Sequence, residues 1–197
     1  MAARATMASL IDRVRELTAA GTAEYTIGST AYWSDEQIQT ALDRARLDLW
    51  DAPLRPAPRQ VGGTVVWTDY ASGYANLEST LGGTALFEVR DAVGNLVSGT
   101  AWSADYARGV VTFAASTGGS AYVLNARAYD VYGAAASVLD GWAAYLARQF
   151  DFATDGQSFK VSQQREALAT LARQYRSQAS GYGQGGLSAE WDRSDTA

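Results

Sequence analysis

Pairs of neighbouring carboxylates are the residues of this chain whose type and spacing could support catalysis. They occur at Asp35 and Glu36, at Asp151 and Asp155, and at Asp192 and Asp195. A glycoside hydrolase needs two carboxyl groups about 5 to 10 Å apart across a cleft. Acidic residues at a helix start are explained more simply as partners of the positive end of the helix dipole. We therefore predict that the protein is not an enzyme.

The composition removes most other catalytic chemistry. Histidine and cysteine are both absent, so the usual general base at neutral pH and all thiolate metal sites are excluded. A P-loop is excluded because no Gly-Lys-Ser/Thr occurs. Residues 151–156 faintly resemble a calcium loop, but the alternating oxygen ligands and distal Glu of an EF-hand are missing. We predict no metal and no cofactor.

The charge balance is acidic. Sixteen basic residues stand against twenty-one acidic ones, which gives a net charge of −5. This balance argues against a basic surface that grips nucleic acid, whereas a repeated acidic ring would repel phosphates. No apolar run approaches the roughly 18 residues of a membrane span, and no signal-peptide core is present at the N-terminus. We expect a soluble protein made in a cytoplasm.

Two helices are predicted before residue 58. The first covers residues 7–20, where apolar residues repeat at helical spacing. The second begins at Ser34, which forms a capping box with Gln37 three residues later. Its apolar face continues to about Trp50. The chain's three prolines follow and are read as a stiff boundary: Pro53, Pro56 and Pro58.

Residues 60–129 change to the period-two pattern of strands. We predict five or six short strands in a small antiparallel sandwich or barrel, with 96–102 as a return strand after a turn at Gly94 and Asn95. About 70 residues make a thin core, which would gain stability from neighbouring chains or elements.

Two more helices are predicted after the strands. Asp130 caps a helix over 131–149, and Ser158 caps a last helix that runs to about residue 179. The polar tail behind it keeps Tyr182, Leu187 and Trp191. These are either incidental aromatic and apolar residues of a disordered end or a segment that orders on a partner.

Together these patterns predict an α+β fold, a four-helix bundle with an inserted small antiparallel β module. The N-terminal helices of the bundle occupy 1–58 and the β module 59–129. The C-terminal helices occupy 130–179, and an extended tail covers 180–197.

Three stretches of the chain carry a resemblance to a known family. Residues 32–38 read YWSDEQI and lead into the helix over 41–50. Residues 105–113 read DYARGVVTF and lead to 128–132, AYDVY. Residues 150–159 read FDFATDGQSF and lead into the last helix. In this order the chain resembles the head-to-tail adaptor (connector) proteins of long-tailed bacteriophages.

The resemblance implies a structural role in the virion neck, after assembly in the host cytoplasm. Such adaptors form a closed ring of about twelve subunits below the portal protein. They extend the channel through which double-stranded DNA passes without sequence-specific binding, and they present a platform to a tail, stopper or terminator protein. Their C-terminal parts contact the portal, which on this chain corresponds to Arg173, Arg176, Tyr182, Leu187 and Trp191. No membrane is involved.

The chief alternative is a virion protein that binds carbohydrate or a host surface through its β module. Aromatic side chains that stack on sugars would carry this function: Trp67, Tyr70, Tyr74 and Trp102. Glycan binding that is lost on substitution of Trp67 or Trp102 would favour it. An enzyme acting through carboxylates would instead require a deep acidic cleft.

Overall fold

The computed structural model describes residues 2–81, 83, 85–149, 152–154, 157–159 and 161–179, and it shows an α+β protein dominated by one curled sheet. A 3-10 turn, Ala5–Met7, precedes the first helix. The α-helices are α1 (Ala8–Thr18), α2 (Asp35–Arg44), α3 (Val131–Leu146) and α4 (Val161–Gln178).

The strands form one large sheet and two small hairpins. The hairpins are β1 (Tyr25–Ile27) with β2 (Thr30–Tyr32), and β9 (Phe152–Thr154) with β10 (Gln157–Phe159). The large sheet contains β3 (Arg46–Val61), β4 (Thr64–Ala71), β5 (Phe87–Asp91), β6 (Trp102–Asp105), β7 (Val110–Phe113) and β8 (Tyr122–Tyr129). Its six strands are all antiparallel, in the order β5-β8-β3-β4-β7-β6, and curl into a half-barrel.

Strand β3 corrects the prediction of a helix up to Trp50. Helix α2 ends at Arg44, and a strand of 16 residues begins at Arg46. Its first part, 46–54, pairs with β8, and its second part, 55–61, pairs with β4 on the other side. Leu47 and Leu49 are two residues apart and face the sheet core, and Ala52 and Leu54 do the same after a register shift. This interrupted period of two resembles helical spacing in a longer window.

The three prolines lie inside β3 and do not mark a boundary. A proline cannot donate to a strand ladder, so it is tolerated where a strand is paired on one side or bulged. Pro53 lies opposite Val123 of β8, Pro56 lies opposite Tyr70 of β4, and the register shifts at Pro58. Each part of β3 is paired on one side, which satisfies this condition.

The predicted four-helix bundle with an inserted β module is wrong. The sheet is the larger part of the fold and has its own core, whose central residues include Tyr70, Val89, Val111 and Leu124. Helix α2 ends at Arg44 and β3 begins at Arg46, so no linker separates the helices from the sheet as an inserted module would require. The helices are arranged around α3, which packs against α1 and α2 through one core and against α4 through another.

A closed circuit of main-chain hydrogen bonds runs around one end of the sheet. The N–H of Glu78 donates to Arg127 of β8, and the N–H of Tyr129 donates to Asn76. On its other side, the same short segment donates to the carbonyls of Tyr106 and Ala107, in the turn between β6 and β7. Since β7 pairs with β4, β4 with β3 and β3 with β8, the circuit is complete.

Several local predictions are confirmed and two are wrong. Ser34 and Gln37 form the predicted capping box, and the Asp130 carboxylate accepts from the N–H of Gly133. The turn at Gly94 is present, but 96–102 forms only a single bridge with Arg90 before β6 begins. Ser158 lies in strand β10, three residues before the first residue of α4, Val161, and so is not at the N-cap position.

The sheet begins at Arg46, inside the range that we assigned to the N-terminal helices, 1–58. Strand β8 ends at Tyr129, and α3 starts at Val131, close to the predicted start of the C-terminal helices. The predicted tail, 180–197, lies outside the described residues.

Gly109 gives a test of the closed circuit. It has a φ of +66°, and a Cβ built there would overlap the carbonyl oxygen of Tyr74 and lie 2.6 Å from Ser72 Oγ. Gly118 has the same φ of +66° with nothing within 4 Å of its Cβ position. Both alanine variants carry the left-handed penalty of about 1 kcal/mol. We expect Gly109→Ala to lose about 2 kcal/mol more than Gly118→Ala in urea unfolding, since overpacking adds to the penalty. Equal losses would contradict this close approach.

Candidate functional site

Helix α4 presents the most extended polar surface of the described helices. One side packs on α3, where Ala172 is buried between Ala136 and Leu139. Tyr175, one turn after Ala172, also fixes the helix, because its hydroxyl donates to the carbonyl of Leu17 in α1 at 2.8 Å. Away from these contacts the helix is exposed and carries mostly amide and guanidinium groups: Gln163, Gln164, Arg165, Arg173, Gln174 and Gln178.

The structure places two of the five predicted partner-binding residues at the end of α4. Arg173 is exposed and contacts its own helix, with Nη2 3.1 Å from Thr170 Oγ1 and Nε 3.4 Å from the Ala169 carbonyl. Arg176 forms an ion pair with Asp140 of α3. Arg173 therefore has its charge available to a partner, whereas Arg176 is held against α3. Tyr182, Leu187 and Trp191 lie outside the described residues.

The four aromatic residues of the carbohydrate alternative do not form one exposed platform. Tyr70 is fully buried, and its hydroxyl contacts Thr117 Oγ1 and donates to the Ser120 carbonyl. Trp102 packs against Phe87 on the sheet core, with ring centroids 5.4 Å apart. Trp67 lies against Gly119, and Tyr74 packs on the same core as Trp102. Stacking on a sugar would require these rings to share a free face.

The carboxylates considered for catalysis have structural partners where they are described. Asp35 pairs with Arg15 at 2.5 Å, and the hydrogen bond from Ser34 lowers the pKa of Glu36. Both carboxylates lie in the first turn of α2 and stabilise that helix end. The other two pairs, Asp151 with Asp155 and Asp192 with Asp195, lie outside the described residues. Within the described ranges, no cluster of three or more acidic side chains could hold a metal ion.

A buried carboxylate that the sequence did not reveal joins the helices to the sheet. The side chain of Glu78 is 1% exposed and accepts hydrogen bonds from three residues, two in the N-terminal segment and one in β8. Thr6 Oγ1 donates at 2.6 Å, Tyr129 OH at 2.8 Å and Arg4 Nε at 3.2 Å. Arg127 Nη1 lies 3.5 Å from its second oxygen. We call these five residues the Glu78 network.

Arg4 extends the Glu78 network to α2. Its guanidinium makes a bidentate contact with Asp43, at 3.0 and 2.7 Å, and its main-chain N–H donates to Gln39 at 2.6 Å. One arginine thus bridges the carboxylates of Asp43 in α2 and Glu78 beside β8. Bidentate arginine contacts are among the strongest and most directional charged hydrogen bonds.

The electrostatics of the network favour a charged Glu78. Burial alone would raise the pKa of this carboxyl, but hydrogen bonds from Thr6 and Tyr129 and the charges of Arg4 and Arg127 hold it below its ordinary value. Burial and the hydrogen bond to Glu78 raise the pKa of Tyr129 well above its usual range. The hydrogen bond with Asp43 raises the pKa of Arg4. All three groups therefore keep fixed protonation states at neutral pH.

The Glu78 carboxylate is buried, and its hydrogen bonds hold distant parts of the chain together. Its hydrogen bonds join residues 49 to 74 positions apart in sequence, and no short motif encodes such a set. The available signal was a single glutamate within the otherwise uncharged stretch 70–87. A buried carboxylate of this kind needs a charged partner, which could have directed attention to the arginines.

An aromatic cluster attaches the β1–β2 hairpin to α3. The ring of Tyr25 stacks between Tyr32, at 5.0 Å, and Tyr145 of α3, at 4.1 Å. Burial raises the pKa of Tyr25 to about 12. Trp33 packs edge-on to both tyrosines of the hairpin and lies against Gly141, where a Cβ would come within 2.6 Å of its ring. Residues 32–38, the first of the three stretches that carry the family resemblance, are thereby fixed to α3.

Comparisons with models of known families, with curated proteins and with solved structures found no match. Among the described helices, none has the length and apolar character needed to cross a membrane.

Glu78→Gln tests the network. The substitution leaves Arg4 and Arg127 with less compensation, and breaking a buried charge pair costs about 3 to 5 kcal/mol. Because the folded pKa of Glu78 is lowered, its contribution is present above the ordinary value of 4.5 and lost as pH falls through the folded pKa. We therefore expect the variant to be less stable at pH 7 and to lose less stability upon acidification below pH 4.5.

The matched control is Glu88→Gln. Glu88 pairs with Arg90 on the sheet surface at 2.7 Å, and its side chain is 36% exposed. Surface ion pairs contribute little, so chemical unfolding of this variant should stay close to that of the parent at both pH values. Glu78→Gln with the parent's stability and acid profile would show that the network does not hold the fold.

Proposed function

We propose that this chain is a structural protein of a bacteriophage neck, a ring-forming adaptor between the portal and the next neck or tail component. The resemblance supports the proposal through three stretches in a defined order. In the fold, these stretches lie at the start of α2, between β6 and the start of α3, and at the hairpin before α4. Each stretch therefore lies next to one of the helices that pack together, α2, α3 or α4.

The exposed side of α4 is the observation that carries the proposal. This helix has 18 residues and is held by α3 along one side. Its free side runs for about 27 Å at 1.5 Å per residue. The helix itself carries Arg173 and Arg176, two of the residues that the resemblance assigns to portal binding. A rigid helix with exposed amide and guanidinium groups suits a protein interface, in which arginine is enriched.

Packing between the resembling stretches supports a rigid subunit. Trp33 of the first stretch lies against Gly141 of α3, which follows the second stretch. Arg4 joins Asp43 of α2 to Tyr129, which belongs to the second stretch, through hydrogen bonds of 2.7 and 3.2 Å. A subunit of this kind presents fixed surfaces to its neighbours, as a ring component requires.

The charge of the chain suits a DNA channel. The net charge of −5 is multiplied in a closed ring. An acidic lumen repels the phosphates of DNA and allows it to slide without specific binding. The DNA in this proposal is cargo that passes through the ring, and the binding partners are the portal, other copies of the chain and the tail-side component.

Mass spectrometry of purified virions, followed by reconstruction of the intact neck, tests the proposed function. The expected result is this chain in a ring that touches the portal. Its absence from the particles, or a place in them without portal contact, would refute the proposal. Amine cross-linkers have few targets because Lys160 is the sole lysine, so carboxylate-reactive or photoactivated reagents are preferable.

Arg173→Glu tests the portal-facing end of α4. Reversing an exposed charge in an interface disturbs complementarity with the partner. We expect co-purification with the portal to fall about tenfold, equivalent to about 1.4 kcal/mol. Arg165→Glu makes the same charge change about two turns earlier on the helix and is the control. Equal retention of both variants by the portal would place the contact elsewhere.

A further inference from the structure

The hairpin of β3 and β4 extends beyond the rest of the sheet. Strand β8 pairs with β3 as far as Leu54, and β7 pairs with β4 over 69–71. Farther out, the loop before β8 reaches Trp67, whose carbonyl accepts from the N–H of Thr117. Residues 58–66 continue as a two-stranded ribbon, and 58–65 are all exposed. We call residues 58–66 the β3–β4 arm.

The free edge of β3 is protected against pairing with another strand. Pro56 and Pro58 lack the N–H groups that a new strand would bond, and the exposed charges of Arg55 and Arg59 flank them. Prolines and charges at an edge block the addition of a foreign strand. A partner of the arm must therefore contact its side chains.

The side chains of the arm are unusual for a solvated ribbon. Val61 is 54% exposed and Val65 is 55% exposed. Val61 lies opposite Thr64, while Val65 lies opposite Gln60, so the two valines occupy opposite faces. A ribbon with an apolar residue on each face can be enclosed by a partner on both sides, which buries both valines.

Charge identifies the partner. Residues 52–68 contain Arg55 and Arg59 and no acidic residue, whereas the remainder of the chain has 14 basic and 21 acidic residues. Asp69 at the base of the arm approaches Arg59 only at 3.8 Å, and the Arg59 side chain is 58% exposed. Segment 52–68, which contains the arm and its base, is positively charged, so two copies of it would repel each other, whereas the remainder of the chain carries the opposite net charge. Electrostatic complementarity of this kind selects partners and fixes their orientation.

We propose that the β3–β4 arm packs on the body of a second copy of this chain, in a head-to-tail contact. A contact between different surfaces of identical chains generates a ring when its rotation closes. The inference rests on the proposed function, because it assigns the surface by which neighbouring subunits of the ring would join.

Cysteine-directed cross-linking tests the contact. The chain has no native cysteine, so Val61→Cys labelled with a thiol-reactive photo-cross-linker reports the surroundings of the arm alone. We expect cross-linked peptides that join the arm to a non-arm segment of another copy, identified by mixing isotope-labelled and unlabelled protein. Val93→Cys, at a site 82% exposed beyond β5, is the control and should give far fewer such links. Arm-to-arm links, or links within one chain alone, would overturn the inference.

Charge reversal gives a second test in solution. Arg55→Glu with Arg59→Glu should weaken self-association at least tenfold in analytical ultracentrifugation, while circular dichroism and melting stay unchanged. Val93→Ser should leave association as in the parent. A parent chain that stays monomeric at all concentrations, or a charge-reversed variant that associates normally, would overturn the inference. If virions contain the ring but no neighbouring copy touches the arm, the proposed arm contact is refuted and the neck function is not. If the chain is absent from virions, the proposed function itself is refuted.

Discussion

The buried carboxylate of Glu78 is the interaction on which the arrangement of helices and sheet depends. It lies beside β8, where its own main chain completes the hydrogen-bonded circuit around the sheet. Its side chain accepts from Thr6 and Arg4, which come from the chain's first residues. A charge in this position is tolerated only when donors surround it. The N-terminal segment must therefore be in place for the sheet to keep a charged residue inside.

Arg4 makes this requirement cooperative. The same guanidinium neutralises Glu78 and binds Asp43 at the end of α2. Displacement of the N-terminal segment would leave two carboxylates without their common partner, one of them fully buried. The cores of the helices and the sheet are separate clusters, and Tyr129 at the end of β8 is the strand residue buried in the helical core. The directional contacts of Arg4 with Asp43 and Glu78 hold the helices in a fixed position relative to the sheet.

Local signals in the sequence predicted local structure well. The capping box of Ser34 and Gln37 and the cap at Asp130 involve partners three residues apart, so the spacing contains the whole interaction. Pro53, Pro56 and Pro58 were misread because their effect depends on which side of β3 is paired, and that is set by strands β4 and β8 from later in the chain. Glu78 was missed for the same reason, since its partners are distant in sequence. Of the five predicted partner-binding residues, Arg173 and Arg176 lie on the helix that was expected, and the other three are outside the described residues.

The continuity of α2 and β3 has a mechanical consequence. A strand of 16 residues spans about 50 Å at roughly 3.3 Å per residue. It connects the end of α2, beside Asp43, to the tip of the hairpin at Val61. A force applied at the hairpin tip would be transmitted to α2 through the backbone of β3. The register shifts near Trp50 and Pro58 bend the strand and increase its twist at two defined places along this length.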